Sequence, residues 1–247
     1  PVLLGEHGTP ADQRAALDRL SALARDRGTE PVLVVNSDSQ VDAVDADRAW
    51  HEERFTVLVP LGESVRAVED KARLAPLATA VGLHTPRERV IDFAHLDGWR
   101  AAAADLAAPY ILKPATTGDY EVLEFPGKLK VYVLDDVAAL EGTLERIHAA
   151  GHEGRMLLQE LIPGDDTAGY VTTVYIDRTG TATLQSTARM LLAIHTPNLL
   201  GNMALGLVRW YPEIAERVTA LLQGIGYRGF ATVDVKVDSR TGTPYLL

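Results

Sequence analysis

Apolar positions along this chain switch between a helical and a strand period, and the switches divide it into segments. Over 12–27, Ala16, Leu17, Leu20, Leu23 and Ala24 share one helical face, and short apolar runs at 2–4 and 31–35 flank that helix as buried strands. This is a strand–helix–strand unit. Asn36-Ser-Asp-Ser comes next; it suits a ligand-facing loop at the strand's carboxyl end or an N-cap turn, and we take the cap, which opens another helix. Asp70 caps a helix over 71–81 with Leu74, Leu77, Ala78 and Val81 on one face; Gly82 closes it and Pro86 marks a linker.

From about Val90 the pattern becomes α+β. An alanine-rich helix over 99–108 precedes a strand at 109–114, a Thr/Gly/Asp loop and a strand at 129–134. Leu140, Leu144 and Ile147 mark a helix over 137–150, and 156–162 reads as an apolar strand stopped by Pro163-Gly164. Strands at 170–176 and 181–188 and a helix over 213–223 follow. In a closing hairpin, 231–237 alternates with period two, Asp238 to Gly242 supply turn residues, and 245–247 begin the return strand. No internal repeat or low-complexity tract interrupts this order.

Composition narrows the class. At 247 residues and 47% hydrophobic content the chain can bury a large core and has room for roughly two or three subdomains. Its 24 basic and 34 acidic residues, a formal charge of −10, argue against a nucleic acid or an anionic membrane as the main partner, while local anion sites stay open. Zero cysteines remove disulfides, thiolate catalysis and cysteine-ligated metal sites and fit a reducing compartment, so the cytoplasm is the expected location. No run of about 18 apolar residues exists to span a bilayer. The first residue is Pro1 rather than Met, which points to processing or truncation, and the sequence is compatible with a homo-oligomer.

Several residues break their local pattern. Asp234 lies between Val233 and Val235, so it faces the other side of its strand; an acid there is either solvated or serves a cation or a proton. Lys113 ends an apolar strand, with Thr116, Thr117 and Gly118 in the loop beyond. It is either a snorkelling strand-end lysine or a point charge toward phosphoryl oxygens, with the loop's hydroxyls and N–H groups over them. Gln159-Glu160-Leu161-Ile162-Pro163-Gly164-Asp165-Asp166 is an apolar strand extended by proline into an acidic turn. Its backbone could pair with a purine edge and its acids with ribose hydroxyls, or the turn could be only a turn. Arg189, on a strand candidate, suits a structural ion pair, and Asn202, in a segment read as irregular after Pro197, suits a turn. The seven histidines show no metal-ligand spacing except His148 and His152, which read as solvated, and the tryptophans are too scattered for a stacking platform.

Taken in order, these features resemble the ATP-grasp superfamily across nearly the whole chain. Asp70-Lys71 opening a helix that ends in Gly82-Leu-His-Thr-Pro86 is similar to that family's first ATP lysine and linker. Pro109-Tyr-Ile-Leu-Lys113-Pro resembles its second lysine strand, Leu158-Gln159-Glu160-Leu-Ile-Pro-Gly its adenine hinge, and Val233-Asp234-Val its magnesium strand. Within the superfamily the likeness is to carboxylate–amine ligases such as D-aspartate ligase, because Lys113-Pro-Ala-Thr is followed by Tyr120 and a lysine-bearing strand rather than by a long glycine run. The resemblance implies ATP and Mg2+, small carboxylate and amine substrates, and an amide bond formed through an acyl phosphate with release of ADP and phosphate. By residue it implies Lys71 and Lys113 on the phosphates, with Thr116, Thr117 and Gly118 over them. Glu160, Leu161 and Ile162 would meet adenine, Asp166 the ribose, Asp234 the metal and Arg189 the acyl phosphate.

The family's second metal acid and asparagine would fall just after Leu247, and its first domain would begin with one more strand–helix unit than Val2 allows, so we expect an internal slice of a longer protein. The expected architecture is α/β with an α+β lid. It has a partial Rossmann-like pre-ATP-grasp domain over 1–88, a central ATP-grasp lid over 89–161 and a C-terminal ATP-grasp subdomain over 162–247. A thiol-acceptor ligase of the same superfamily and a nucleotide-binding scaffold without turnover are the alternatives.

Overall fold

Residues 9–35, 38–58, 62–69, 71–115, 120, 122–196 and 199–247 are described by the computed structural model. The expected strand at 2–4, the cap residue Asp70, and Thr116, Thr117 and Gly118 lie outside the described residues, as does the side chain of Lys71. Contacts divide the chain into two compact units. One is Pro1–Leu74 with Val174–Leu184 and Leu222–Ala231; the other is Ala75–Thr173 with Gln185–Leu221 and Thr232–Leu247.

In the first unit the amphipathic run becomes the helix Pro10–Asp26, started by a capping box in which Thr9 and Asp12 each satisfy the other's backbone N–H. The apolar run after it yields only a short strand, β1 (Val32–Leu33), parallel to β2 (Thr56–Val57). The helix Asp38–Ala46 comes next; the cap residues Asn36 and Ser37 lie outside the described residues.

The helix Lys71–Ala80 leads into the second unit and ends in a Schellman motif. Gly82 N–H donates to Thr79 O, Leu83 N–H donates to Ala78 O, and Gly82 takes the positive φ of 77° that the motif requires. Beyond it lies a four-stranded sheet of order β3-β6-β4-β5, from β3 (Glu88–Asp92), β4 (Tyr110–Pro114), β5 (Tyr132–Leu134) and β6 (Arg155–Glu160). Its pairs are antiparallel, and alternation sorts its residues cleanly. Tyr110, Leu112, Tyr132, Leu134, Met156 and Leu158 point into one core, closed by Leu140, Leu144 and Ile147 of the helix Val137–Ala149. The opposite face therefore carries Ile111, Lys113, Val133 and Leu157, with Val90 beside Leu157. Val90 and Val133 are each 52% exposed, an apolar surface left open next to a lysine.

The second sheet is five-stranded, order β11-β10-β7-β8-β9, from β7 (Gly169–Ile176), β8 (Ala182–Ala193), β9 (Met203–Arg209), β10 (Gly229–Val237) and β11 (Pro244–Leu246). Ile214, Ala215, Val218 and Leu221 of the helix Pro212–Gly224 are buried, and its Thr219 accepts from Gln185 of β8.

Three expectations change. The alanine-rich helix ends at Ala104 rather than 108, because Pro109 excludes the helical conformation from the residue before it and the chain must straighten first. The strand at 129–134 keeps only Tyr132–Leu134, because Leu129 donates to the Tyr132 hydroxyl and accepts from that of Tyr120, holding it in a loop. The irregular segment after Pro197 contains β9, with Asn202 in the turn that joins it to β8. Among the described residues no helix is long and apolar enough to cross a membrane.

Candidate functional site

Lys113 ends β4 on the open face of the four-stranded sheet, and Asp234 lies on β10 of the five-stranded one. Their charges act on one another. Burial raises the Asp234 carboxyl above the usual aspartate range, and the ammonium groups of Lys113 and Lys130 pull it back down. Asp234 is nonetheless exposed to solvent, so the effect of burial on its carboxyl is screened. Among the described residues no donor hydrogen-bonds its carboxylate. Lys130, just before β5, was given no site role in the sequence because a lysine on a strand reads as a solvated face.

The hinge after β6 forms the second part of the site. Glu160 N–H donates to Arg87 O, its carboxylate accepts from Arg87 N–H at 2.8 Å, and Leu161 N–H donates to Pro109 O. Those two N–H groups are occupied. Ile162 is 5% exposed, and among the described residues nothing accepts from its N–H, which leaves one hinge donor open. Pro163 O then accepts from Ser239 N–H and ties the hinge to the β10–β11 turn. Gly164 follows at φ 137°, where a Cβ would collide with that of Ala168. We expect Gly164→Ala to destabilise the fold by about 1–3 kcal/mol, read by chemical denaturation, because strain and collision coincide there.

Asp166 and Arg189 meet at the turn that follows. The Asp166 carboxylate accepts from Ala193 N–H at 2.8 Å and lies 3.1 Å from His195 Nε2; the backbone bond first and His195 next hold it below the ordinary aspartate value. Arg189 Nε donates to Thr167 O at 2.7 Å, so the turn is stitched to β8 from both ends. Thr187 reaches Thr172 and Thr232 reaches Thr173, so alternation puts Arg189 and Asp234 on opposite faces of the sheet. Arg189 thus holds the turn through Thr167 O, and its place at the acyl phosphate is a separate proposal. Arg189→Gln should raise KM for the nucleotide several-fold and leave kcat within about twofold; a fall in kcat at constant KM would return it to the chemistry.

Lys236 is the other residue missed. It shares the Asp234 face of β10, lies opposite Tyr245 of β11, and is held below the usual lysine range by burial, against the pull of Asp166 and Asp165. Alternation from Asp234 was its only sequence signal. A separate cavity of about 570 Å3 in the first unit, lined by Arg48, Phe55, Tyr175, Arg178 and Arg228 among others, contains none of the expected site residues.

Solved structures share the fold that carries this lysine-bearing sheet, hinge and acid-bearing strand. The chain is similar to the VanG D-Ala:D-Ser ligase from Enterococcus faecalis, with TM-score 0.52 at 15% identity over 83% of this chain and 59% of that one. It is also similar to the biotin carboxylase domain dimer of Hydrogenobacter thermophilus 2-oxoglutarate carboxylase, solved with MgADP, ADP and bicarbonate. That likeness has TM-score 0.60 at 17% identity and covers 99% of this chain and 52% of that one. This is the ATP-grasp fold. Within it, the sequence is 33% identical over 134 residues to D-aspartate ligase of Enterococcus faecium (strain Aus0004). The match takes in 54% of this chain and 32% of that protein, so it spans about a third of the relative's length. No family model matches the chain.

Proposed function

We propose that this chain is the nucleotide-binding part of an ATP-dependent carbon–nitrogen ligase that joins a carboxylate to an amine through an acyl phosphate. The convergence of Lys113 and Lys130 on Asp234 supports it above all, because triphosphate chemistry demands charge neutralisation and alignment more than covalent help. Residues 89–161 act as the lid and 162–247 as the base, in a cytoplasmic enzyme.

ATP is a substrate here. A carboxylate oxygen bonds the γ-phosphorus as the bond to the β–γ bridging oxygen breaks and ADP leaves. The amine nitrogen then attacks the acyl carbon, the carbon–oxygen bond to phosphate breaks, and the amine gives up a proton. Lys113 and Lys130 offset charge on the phosphoryl oxygens, with Lys71 and the Thr116, Thr117 and Gly118 loop assigned to the same group. The Ile162 N–H meets the adenine edge, Glu160 and Leu161 hold the hinge in place, and Asp166 takes the ribose. Mg2+ is a cation usually held by one or two carboxylates plus substrate phosphates. Asp234 would hold it, and bound Mg2+ supplies further neutralisation of the phosphates.

Likeness to D-aspartate ligase makes D-aspartate the first carboxylate to try. The test incubates the intact protein with ATP, Mg2+ and D-aspartate or other amino acids, with and without amines, thiols or hydroxylamine. We expect ADP release that needs the carboxylate, a hydroxamate when hydroxylamine is present, and phosphate release with an amine. Coupling to thiols alone would move the assignment to a thiol ligase. ATP bound without turnover under any pair would make the chain a scaffold.

A further inference from the structure

On β10, Asp234 and Lys236 share one face and stand about 6–7 Å apart along the strand, the span of two residues. That step leads from the phosphate end of the site toward the hinge. Lys236 is half-buried, and its Cε lies 3.6 Å from where a Cβ on Gly164 would be, so its stem passes under the hinge glycine. The carboxylates of Asp165 and Asp166 act on it electrostatically, yet among the described residues none comes within ion-pair distance of its ammonium. Asp166 spends one oxygen on Ala193 N–H and His195 instead. Lys236 keeps some contact with solvent, and its stem under Gly164 sets the ammonium beside the Asp165–Asp166 turn, where a bound ligand can add acceptors to those two acids.

We propose that Lys236 is a further nucleotide-binding residue, whose ammonium donates to acceptor atoms of the nucleoside, at the ribose and purine edge, and so sets affinity for the nucleoside half of ATP rather than for its phosphates. This rests on the ATP reading above. Three features converge on it: the stem under Gly164, the neighbouring acid assigned to the ribose, and the open Ile162 N–H at the same hinge. An ammonium offers three donors, enough to serve a ribose oxygen and a ring nitrogen together. It would also offset the charge of Asp166 when that carboxylate accepts ribose hydroxyls.

Lys236→Met tests this, since it keeps the stem over Gly164 and removes only the charge. Calorimetric titration with ATP, ADP and inorganic tripolyphosphate, at one Mg2+ concentration, separates the two halves of the nucleotide. We expect ATP and ADP each to bind about tenfold more weakly and tripolyphosphate to change by less than twofold. ADP affinity within twofold of the parent, or tripolyphosphate weakened as much as ATP, overturns the assignment. A parent protein that binds neither ATP nor ADP sinks the ATP reading itself, a result distinguishable from both. If Lys236→Met does not fold, Lys236→Arg replaces it: displaced donors should weaken ADP and leave tripolyphosphate alone, and equal changes in both overturn the proposal.

Discussion

Lys113→Ala should lower kcat for acceptor-dependent ADP release by about 10²–10³-fold, a loss of about 3–4 kcal/mol of transition-state stabilisation. That magnitude is what removal of one preorganised charge donor costs in other enzymes, and Lys113 meets the condition of preorganisation. Its backbone is fixed on both sides, by pairing with Leu157 of β6 and by the continuation of β4 into the sheet core at Leu112, which is fully buried. Its stem is flanked by Ile111 and Leu157 on the open face, and its charge acts on Asp234. Lys113→Arg should recover little, because a planar fork does not replace a compact point charge at the end of that stem. The fold should tolerate both changes, since the residue belongs to the face opposite the buried core; unfolding midpoints within a few degrees of the parent would confirm that the loss is catalytic. Turnover within a few-fold of the parent would remove Lys113 from the phosphates.

Lys113 and Asp234 stood out in the sequence because each is a charge set among apolar strand residues, and such a charge must be explained. The helix Val137–Ala149 was equally plain, because Leu140, Leu144 and Ile147 repeat at helical spacing and all three are buried. β9 was not. Met203 to Arg209 form an edge strand that is mostly exposed, so no alternation of buried and open positions marks it, and Gly206 reads as a breaker. Its glycine has a packing cause instead, since a Cβ there would strike the Met203 sulfur. β3 was hidden similarly, with Ile91 its only buried residue. Lys130 and Lys236 escaped because a strand lysine normally means a solvated face; only pairing of the strands tells which face is open to a ligand. Arg189 shows the limit of reading charge alone: its basic charge suggested phosphate, while strand parity sets it on the face opposite Asp234, where it donates to the Thr167 carbonyl. A one-residue step along a strand decides between the two roles, and composition is blind to parity.

Asp234→Asn should abolish the Mg2+-dependent part of nucleotide binding while leaving the unliganded protein as stable as the parent at neutral pH, or more so. The direction follows from the carboxyl's environment. Burial raises its pKa above the unfolded value, more than Lys113 and Lys130 lower it, so the folded state disfavours the charged form. Stability associated with a raised carboxyl is fully present below its unfolded pKa, about 3.9, and is lost as pH rises through the higher folded value. Near neutrality the parent therefore carries a cost that the uncharged asparagine does not, and the two proteins should approach one another in stability as pH falls toward the acid range. A divalent cation reverses the sign in the parent alone, because it stabilises the ionised carboxylate that burial penalises. Thermal unfolding with ATP, in Mg2+ and then in excess EDTA, reads both effects. In the parent the Mg2+–ATP shift should exceed the EDTA shift; in Asp234→Asn the two should coincide, with turnover lower by at least about 10²-fold. Equal metal dependence in parent and variant would mean that Asp234 is only a strand acid and that the cation is held elsewhere. A large drop in the unliganded midpoint would instead mean that attraction to the two lysines outweighs the cost of burying the charge.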